Sequence, residues 1–410
     1  MAAASLFLFA HMKLQHWFLF TIHYLLLTAC QPELILVEVT REVFLEGVAT
    51  ALPPQIVTES VEVTRVVTTE ATRLVEQMVV NEVVVEVTPL PLGTADRPVQ
   101  LLLPSVVDTA VISTRVTGLI EALEAATGQQ FEIGVLDDEQ AVIDLMCAAP
   151  AETMAVLTAV GYTLAHEQCG VQVAVVAQDD MGLTGQMGMI VVRADSGLES
   201  LADLNNKFGA VPDLNNIPNA LYVQAMLQAA GIETADIREI PSDSSTMLAV
   251  LNGEVDFAVA TFLPPLLPYE ERAWHYGTDD PELWREVGSL PRRSPLGHVL
   301  VMGEPRLGGY RVRDARSRVF DIEPNIFNET RILTVTAPIP NETIAFGANF
   351  PLATARQLLA ALVAFTADEA CATSFCSSDF YNWRGLVVTD DAAYDPLRFL
   401  LEEIELTLVN

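Results

Sequence analysis

The chain has 410 residues, of which 51% are hydrophobic, and a formal net charge of -32. This length is enough for about two or three domains with packed cores. Nucleic acid binds to basic surfaces, so a chain with 54 acidic and 22 basic residues is not expected to bind it. Only six histidines are present, and three of them fall within the first 23 residues, so sites built on histidine are poorly supplied.

The first 29 residues have the pattern of a secretory signal peptide. Lys13 precedes an apolar run from Trp17 to Leu27, which is shorter than the roughly 20 residues of a membrane-spanning helix. The run ends in Leu-Thr-Ala-Cys, which resembles the bacterial lipobox, where the cysteine is acylated and becomes the first mature residue. We therefore predict that residues 1–29 are removed and that Cys30 carries lipid. An ordinary signal peptide with a chance cysteine is the alternative.

Residues 30–97 form a repetitive tract rich in Val, Thr and Glu. The sequence Val-Glu-Val-Thr begins at Val37, Val61 and Val85, a spacing of 24 residues each time. Alternation of Val with polar residues favours extended backbone, and Pro-containing segments interrupt it. We predict a stalk that lifts a folded domain off the membrane. A self-assembling β segment is the other interpretation.

From Val99 onward, short apolar runs alternate with helical periodicity, as in βαβ units. Predicted strands are Val99–Leu103, Phe131–Val135, Thr153–Leu157, Val171–Ala177, Met187–Val192, Lys207–Val211 and Phe257–Ala260. Predicted helical segments are Ser113–Ala126, Glu139–Ala148, Leu198–Leu204, Asn219–Ala230 and Ser244–Leu251. This rhythm predicts an α/β fold with mostly parallel sheets, whose ligands bind beyond the carboxyl ends of the strands. Two such sheets joined by crossing strands would hold a ligand in the cleft between them.

Four cysteines remain after Cys30, an even number that suits an oxidising compartment. They allow three connectivities. We favour Cys147 with Cys169 and Cys371 with Cys376, because each pair is close in sequence. The spacings contain no Cys-x-x-Cys, so a metal site is not expected.

Several motifs follow one another in an order typical of one protein family. They are Ser200-Leu201-Ala202-Asp203-Leu204, the Pro212-Asp213 loop, Leu248–Asp256, Pro338-Ile339-Pro340-Asn341-Glu342, Asp379–Leu386 and Tyr394-Asp395-Pro396. Together they resemble the phosphate, phosphite and phosphonate-binding proteins of ABC importers, from about residue 98 to the end. The resemblance implies a two-lobed type 2 periplasmic-binding-protein fold with a hinge of crossing strands. Lobe 1 would comprise residues 98–191 and 333–410, and lobe 2 residues 192–332.

The same resemblance implies a role and a location. The protein would capture a small-molecule solute between its lobes and deliver it to a permease with its ATPase subunit. It would perform no chemistry and need no cofactor or metal. We expect a monomer, lipid-anchored on the outer face of the cytoplasmic membrane.

The ligand residues depart from the family pattern. Where the family presents Ser-Thr-Ser-Gly to the anion at a helix N-terminus, this chain has Asn216-Ile217-Pro218-Asn219. The hydroxyls are absent, and Pro218 has no N–H to donate. A family histidine aligns with Asp243 and a family tyrosine with Glu139, so two carboxylates stand where an anion would bind.

Of two family acids that face an amino group on the ligand, one is kept as Glu342, while Leu263 replaces the other. The pattern predicts a cationic or neutral polar solute in place of phosphonate. The candidate ligand residues are Glu139, Thr158, Tyr162, Asn215, Asn216, Asn219, Asp243 and Glu342. Tyr162 would offer a ring face to a cation. The alternatives are solvated surface carboxylates, and a core position for Tyr162 and for Thr158.

Seven arginines lie between Arg292 and Arg318 in an otherwise acidic chain. A local ion-pair face is one interpretation, and a docking surface for the permease or for anionic headgroups is the other.

Two further function classes remain. A hydrolase is poorly supported, because the sequence has no Gly-x-Ser-x-Gly, no His-Glu-x-x-His and no phosphate-cradling glycine loop. A sensory receptor module with the same fold, which does not act with a permease, is the second class.

Overall fold

The computed structural model describes residues 90–404, apart from residues 106, 271 and 304–307. The chain divides at residue 90, and residues from Leu90 onward form a unit of their own. The predicted signal peptide, the lipid on Cys30 and most of the predicted stalk lie outside the described residues. The last stalk residues are described, and they belong to the folded unit. There, Arg97 donates to Glu152 at 3.0 Å, and the carbonyl of Gly93 accepts from the N–H of Gln130.

The strands of the described residues are, in chain order, β1 (Val99–Pro104), β2 (Phe131–Leu136), β3 (Thr153–Leu157), β4 (Gln172–Gln178), β5 (Gly185–Arg193), β6 (Phe208–Val211), β7 (Asp236–Glu239), β8 (Phe257–Phe262), β9 (Arg292–Arg293), β10 (Val299–Met302), β11 (Gly309–Val312), β12 (Thr330–Val335), β13 (Ile339–Pro340), β14 (Thr343–Phe346) and β15 (Gly385–Val388). All seven predicted strands are present. Among the early strands, β7 was not predicted, because three of its four residues are charged and most of it is exposed.

The α-helices of the same residues are α1 (Thr109–Thr127), α2 (Glu139–Ala148), α3 (Ala159–Cys169), α4 (Tyr222–Ala229), α5 (Asp243–Leu251), α6 (Ile326–Glu329), α7 (Leu352–Thr366), α8 (Glu369–Ala372) and α9 (Asp395–Ile404). A π-helical turn, Ile217–Leu221, precedes α4, and the predicted segment near Leu198 is a 3-10 turn, Leu201–Leu204. Within the described ranges, no helix has the length and apolarity needed to cross a membrane.

The first sheet has the strand order β15-β4-β14-β3-β1-β2. Strand β1 pairs in parallel with β2 and β3, whereas β14 is antiparallel to both β3 and β4, and β15 is antiparallel to β4. Strands β1 to β4 therefore all point the same way. Their carboxyl ends lie at the edge of the sheet where β14 and β15 begin.

The second sheet has the order β12-β5-β8-β6-β7, with β13 paired to the start of β5. Strand β6 is parallel to β7 and β8, and β5 is antiparallel to β8 and β12. Hence β6, β7, β8 and β12 end at the edge where β5 begins. A small antiparallel sheet, β11-β10-β9, belongs to the segment between β8 and β12.

Two connections join the sheets, residues 179–184 from β4 to β5 and residues 336–342 from β12 to β14. They are bonded to each other. The Asn341 N–H donates to the Thr184 carbonyl at 3.0 Å, and the Asn341 side-chain amide donates to the carbonyls of Ala177 and Leu183. Asn341 is 8% exposed and belongs to the predicted family motif. The crossing thus fixes the two sheets to one another through backbone hydrogen bonds.

Apolar faces of the helices cover both sheets. One core lies between the first sheet and helices α1 and α7, and two more cover the second sheet. A fourth core includes Tyr222 of α4 together with Tyr394 and the buried leucines of α9. Helix α9 therefore packs against the helix that follows the Asn216–Asn219 loop, and Gln228 donates to the Glu403 carbonyl at 2.7 Å.

Both favoured disulfides are present in the structure. Cys147 at the end of α2 is bonded to Cys169 at the end of α3, and Cys371 in α8 is bonded to Cys376. The first links two neighbouring helices across 22 residues of chain, and the second closes a loop of 5.

A buried ion network holds the segment between β8 and β12 on the second sheet. Arg316 is fully buried, and its guanidinium donates to Asp314 at 3.0 Å and to Glu282 at 2.6 Å. Glu282 also accepts the N–H of Ile332 in β12. Burial alone would raise the pKa of Glu282, but Arg316 and Arg285 outweigh burial and lower it. These contacts favour the ion-pair interpretation of the arginine-rich segment.

Candidate functional site

The carboxyl ends of both sheets meet the two crossing connections, so the loops that follow the strands converge there. On the first sheet these loops hold Glu139 after β2, Thr158 after β3 and Glu342 before β14. On the second sheet they hold Asn216 after β6 and Asp243 after β7. In α/β proteins this edge is where ligands bind.

The carboxylate of Glu139 lies on the N-terminus of α3. Asp138 caps helix α2, so Glu139 is its first residue, while Thr158 caps α3 and its hydroxyl accepts from the N–H of Gly161 at 3.0 Å. The Thr158 N–H donates to Oε1 of Glu139 at 2.5 Å, and the Thr158 hydroxyl donates to Oε2 at 2.8 Å. Both carboxylate oxygens are therefore held by one residue of the neighbouring loop.

A glycine makes room for this carboxylate. An ideal Cβ atom at Gly161 would lie 2.2 Å from the carboxyl carbon of Glu139, far inside van der Waals contact. Gly161 has an ordinary helical position in the first turn of α3, so its lack of a side chain serves the approach of Glu139. No sequence motif marks this glycine as a site residue.

A second carboxylate, that of Glu342, lies near the first. Burial raises the pKa of Glu139, the hydrogen bonds from Thr158 lower it, and the charge of Glu342 raises it further. Among the ion pairs of the described residues, neither Glu139 nor Glu342 has a lysine or arginine partner. The edge of the first sheet therefore carries two neighbouring acids without a basic counter-ion.

Tyr381 joins these acids and was missed as a site residue. Its pKa is raised by burial first and then by the charges of Glu342 and Glu139. Its hydroxyl oxygen is enclosed and has no hydrogen-bond partner in the described part of the chain. The ring packs with Phe375 and Trp383, beside the Cys371–Cys376 loop. Tyr381 lies in the motif Asp379–Leu386, which is part of the family resemblance. Its place in this motif is the sequence feature that could have identified it as a site residue.

Three asparagines, among them the buried Asn219, lie in the loop at the carboxyl edge of the second sheet. The side chain of Asn216 accepts the N–H of Asn219 at 3.1 Å, which caps the π-helical turn before α4. Asn219 is 5% exposed; its amide donates weakly to Thr261 at 3.4 Å, and its Oδ1 has no partner among the described residues. Asn215 is exposed, and its N–H donates to Asp213.

Asp243 is engaged by its own neighbours. It is the first residue of α5, and it is 7% exposed. Its Oδ1 accepts the N–H of Thr261 at 3.2 Å, and its Oδ2 lies 3.5 Å from Nη1 of Arg318. Asp243 remains a predicted ligand residue, and the structure adds an ion pair with an arginine from a distant loop. Sequence spacing alone could not reveal that pairing.

Tyr162 lies in the core, which was the alternative to a position facing the ligand. Its side chain is fully buried against Tyr394, with ring centroids 4.3 Å apart, and its hydroxyl donates to Asp391 at 2.7 Å. The ring face proposed for a cation is therefore covered. The cause is helical geometry, because Tyr162 lies four residues after the cap Thr158 on the face that packs against α9.

The structure thus brings Glu139, Thr158 and Glu342 together on one edge and places Asn216, Asn219 and Asp243 on the other. Tyr162 lies in the core, and Cys30 lies outside the described residues. Within those residues, no group of histidine, cysteine or acidic side chains has the arrangement of a metal site.

Two sheets whose carboxyl edges converge at a double crossing define a class of protein, the two-lobed α/β solute-binding fold. The family model described as "ABC transporter, phosphonate, periplasmic substrate-binding protein" matches residues 102–394, and the chain belongs to that family. A comparison with curated proteins finds no match.

Solved structures of similar fold include a phosphonate-transporter binding protein from Pseudomonas aeruginosa, 13% identical, which covers 75% of this chain and 86% of its own, with a TM-score of 0.36. A second is PhnD1 from Prochlorococcus marinus in complex with methylphosphonate, 11% identical, covering 75% and 98%, with a TM-score of 0.36. A third is XAC2383 from Xanthomonas citri bound to ATP, 14% identical, covering 75% and 96%, with a TM-score of 0.41.

Proposed function

We propose that this chain is the solute-binding component of an ABC importer, which captures a small molecule between its two lobes and delivers it to the permease and its ATPase subunit. The observation that carries the proposal is the convergence of the carboxyl edges of both sheets at the two crossing connections. In this proposal, polar side chains from both sheets contact one solute, and the lobes close on the hinge strands. The protein performs no chemistry on the solute, acts as a monomer and is not a sensory module.

The lobes of the proposal follow the two sheets except at their bounds, because β5 and β12 both pair in the second sheet. Lobe 1, residues 98–191 with 333–410, carries Glu139 and Glu342, and lobe 2, residues 192–332, carries Asn219 and Asp243. Strand β5 belongs by its pairing to the second sheet, so in this proposal the crossing itself lies at residues 179–184.

The solute is a cationic or neutral polar molecule, in contrast to the phosphonates that the family implies. Two observations support this proposal. Glu139 and Glu342 are neighbouring carboxylates without a basic partner in the described residues, and the loop Asn216–Asn219 has amides in place of hydroxyls. A phosphonate dianion beside two carboxylates would be repelled, whereas an ammonium group would be attracted.

A ligand panel tests the proposal. We expect the full chain, purified in detergent, to be stabilised by primary or quaternary amines or by neutral polyols, with a rise in Tm of about 5 °C at saturating concentrations. Inorganic phosphate and methylphosphonate are expected to give little change. Differential scanning fluorimetry measures both.

A matched pair of variants makes the test specific. Glu342→Gln removes one carboxylate of the site and should weaken the response to amines, while Glu167→Gln, at the exposed far end of α3, should leave it unchanged. A strong stabilisation by methylphosphonate in the unaltered chain would contradict the proposed ligand class.

A further inference from the structure

The N-terminus of α3 is a position where an anion would ordinarily bind. Helix α3 has 11 residues, and its first N–H groups and dipole favour negative charge. In this chain the position is filled from within. The carboxylate of Glu139 accepts both the N–H and the hydroxyl of Thr158, at 2.5 and 2.8 Å.

The carboxylate of Glu139 fits at the N-terminus of α3 because residue 161 has no side chain. Gly161 leaves the space that the carboxylate uses, since a Cβ there would lie 2.2 Å from the carboxyl carbon and from Oε1. Any other residue at position 161 would displace Glu139. The seat therefore consists of Thr158, Gly161 and the carboxylate together.

A second observation, the state of the Tyr381 hydroxyl, favours a ligand near Glu139 and Glu342. The hydroxyl of Tyr381 is enclosed, lacks a partner among the described residues and is subject to the charges of both Glu139 and Glu342. A buried phenolic hydroxyl without a partner costs free energy unless a ligand or water completes it.

We propose that Glu139 is a specificity-determining residue, a built-in anion that occupies the N-terminus of α3 and so excludes phosphate-like groups from it. The proposal rests on the proposed function, because it names what decides the solute of that same site. It goes further in stating that anion binding is blocked by one side chain and is recoverable by removing it. The N–H and the hydroxyl of Thr158 would then be free to donate to the oxygens of a tetrahedral oxyanion, in the space that Gly161 leaves open.

The experiment uses the full chain in detergent and two probes, inorganic phosphate and methylphosphonate. Glu139→Ala opens the seat and keeps Thr158 and Gly161. We expect this variant to bind the probes at least about tenfold more tightly than the unaltered chain, roughly the effect of one charge-assisted hydrogen bond. Isothermal titration calorimetry measures the Kd values.

Asp144→Ala is the matched control. Asp144 is exposed on the same helix α2, where its carboxylate accepts a hydrogen bond from Gln140. Its replacement by Ala removes the same charge as Glu139→Ala. A gain in the control equal to the gain in Glu139→Ala would reduce the effect to net charge and overturn the proposal. Because Glu342 remains nearby, the double variant Glu139→Ala, Glu342→Gln is included, and a failure of both the single and the double variant to gain affinity would also overturn it.

Stability supplies a second measurement that needs no ligand. In the unaltered chain, Gly161→Ala should lower Tm, because the new Cβ displaces the carboxylate; in the Glu139→Ala background the same change should cost less. Additive effects of the two substitutions would contradict the described seat.

The two proposals fail in different ways. The unaltered chain could fail to bind amines and polyols while Glu139→Ala gains phosphate binding. In that case the proposed solute class is wrong and the proposed role of Glu139 stands. If amines bind the unaltered chain and neither Glu139→Ala nor the double variant gains phosphate affinity, the role of Glu139 is wrong and the solute class stands.

Discussion

Glu139 and Asp243 are acidic residues in comparable positions, each the first residue of a helix at a sheet edge, yet their surroundings differ. Asp243 accepts an N–H and lies 3.5 Å from Arg318, so its charge is compensated within the second lobe. Glu139 accepts hydrogen bonds from Thr158 and has another acid, Glu342, nearby. Of these two residues, Glu139 is therefore the one without a basic partner among the described ion pairs, and it contributes uncompensated negative charge together with Glu342.

Arg316 offers a test of electrostatics at a single buried residue. Its substitution by Met leaves Asp314 buried without its cation and Glu282 with Arg285 alone, at side-chain exposures of 3% and 9%. We expect Arg316→Met to lower the free energy of unfolding by roughly 3–5 kcal/mol, because an uncompensated buried charge is costly. Urea unfolding followed by circular dichroism measures the change.

Arg293 is the matched control from the same arginine-rich segment. Its partner Asp321 is 68% exposed, so Arg293→Met should cost no more than about 1 kcal/mol. Equal losses in the two variants would mean that burial does not distinguish the two ion pairs.

At the scale of elements, helix ends carry most of the polar chemistry. The caps Asp138, Thr158 and Asn216 belong to helical segments that begin at the converging sheet edges. Each cap satisfies an N–H that would otherwise lack a partner, and it fixes the angle at which the helix leaves the sheet. The disulfides act at other places, at the far ends of α2 and α3 and next to the aromatic cluster that contains Tyr381.

The two disulfides should contribute unequally to stability. Removing a cross-link restores freedom to the unfolded chain, and the effect grows with the length of the closed loop. For separations of 22 and 5 residues the losses are about 3 and about 2 kcal/mol. We therefore expect Cys147→Ala with Cys169→Ala to lower the urea midpoint more than Cys371→Ala with Cys376→Ala. The opposite order would show that packing around the short loop outweighs chain entropy.

For the whole molecule, the position relative to the membrane is decided by residues that precede the folded unit. We propose that lipid on Cys30 anchors the protein on the outer face of the cytoplasmic membrane and that the Val/Thr/Glu-rich tract serves as a spacer. The net charge of -32 would keep the domain away from anionic headgroups unless it were anchored.

Replacing Cys30 tests the anchor. We expect Cys30→Ala to move the protein from the membrane fraction to the soluble fraction, because an acyl chain supplies the apolar contact with the bilayer. Cell fractionation with immunoblotting measures the distribution, and the neighbouring substitution Gln31→Ala serves as control. Membrane retention of Cys30→Ala would remove the lipid assignment.

Much of the fold could be predicted from the sequence because burial leaves a local pattern. All seven predicted strands are present, since each is a short apolar run between polar loops. β7 was missed because an exposed edge strand needs no such run. The motifs around Asn341 and Tyr381 were recognised through the family resemblance, and the family match at residues 102–394 confirms it.

What the sequence by itself determined is therefore the α/β class and the family, and it predicted the acids of the candidate site. Only the tertiary structure decided which acids are compensated. Arg318 comes to Asp243 from 75 residues away in the chain, while Gly161 and Thr158 receive Glu139 from 19 or more residues before them. Electrostatic pairing depends on distance in space and on the room left by neighbouring atoms, and neither is encoded in local residue spacing.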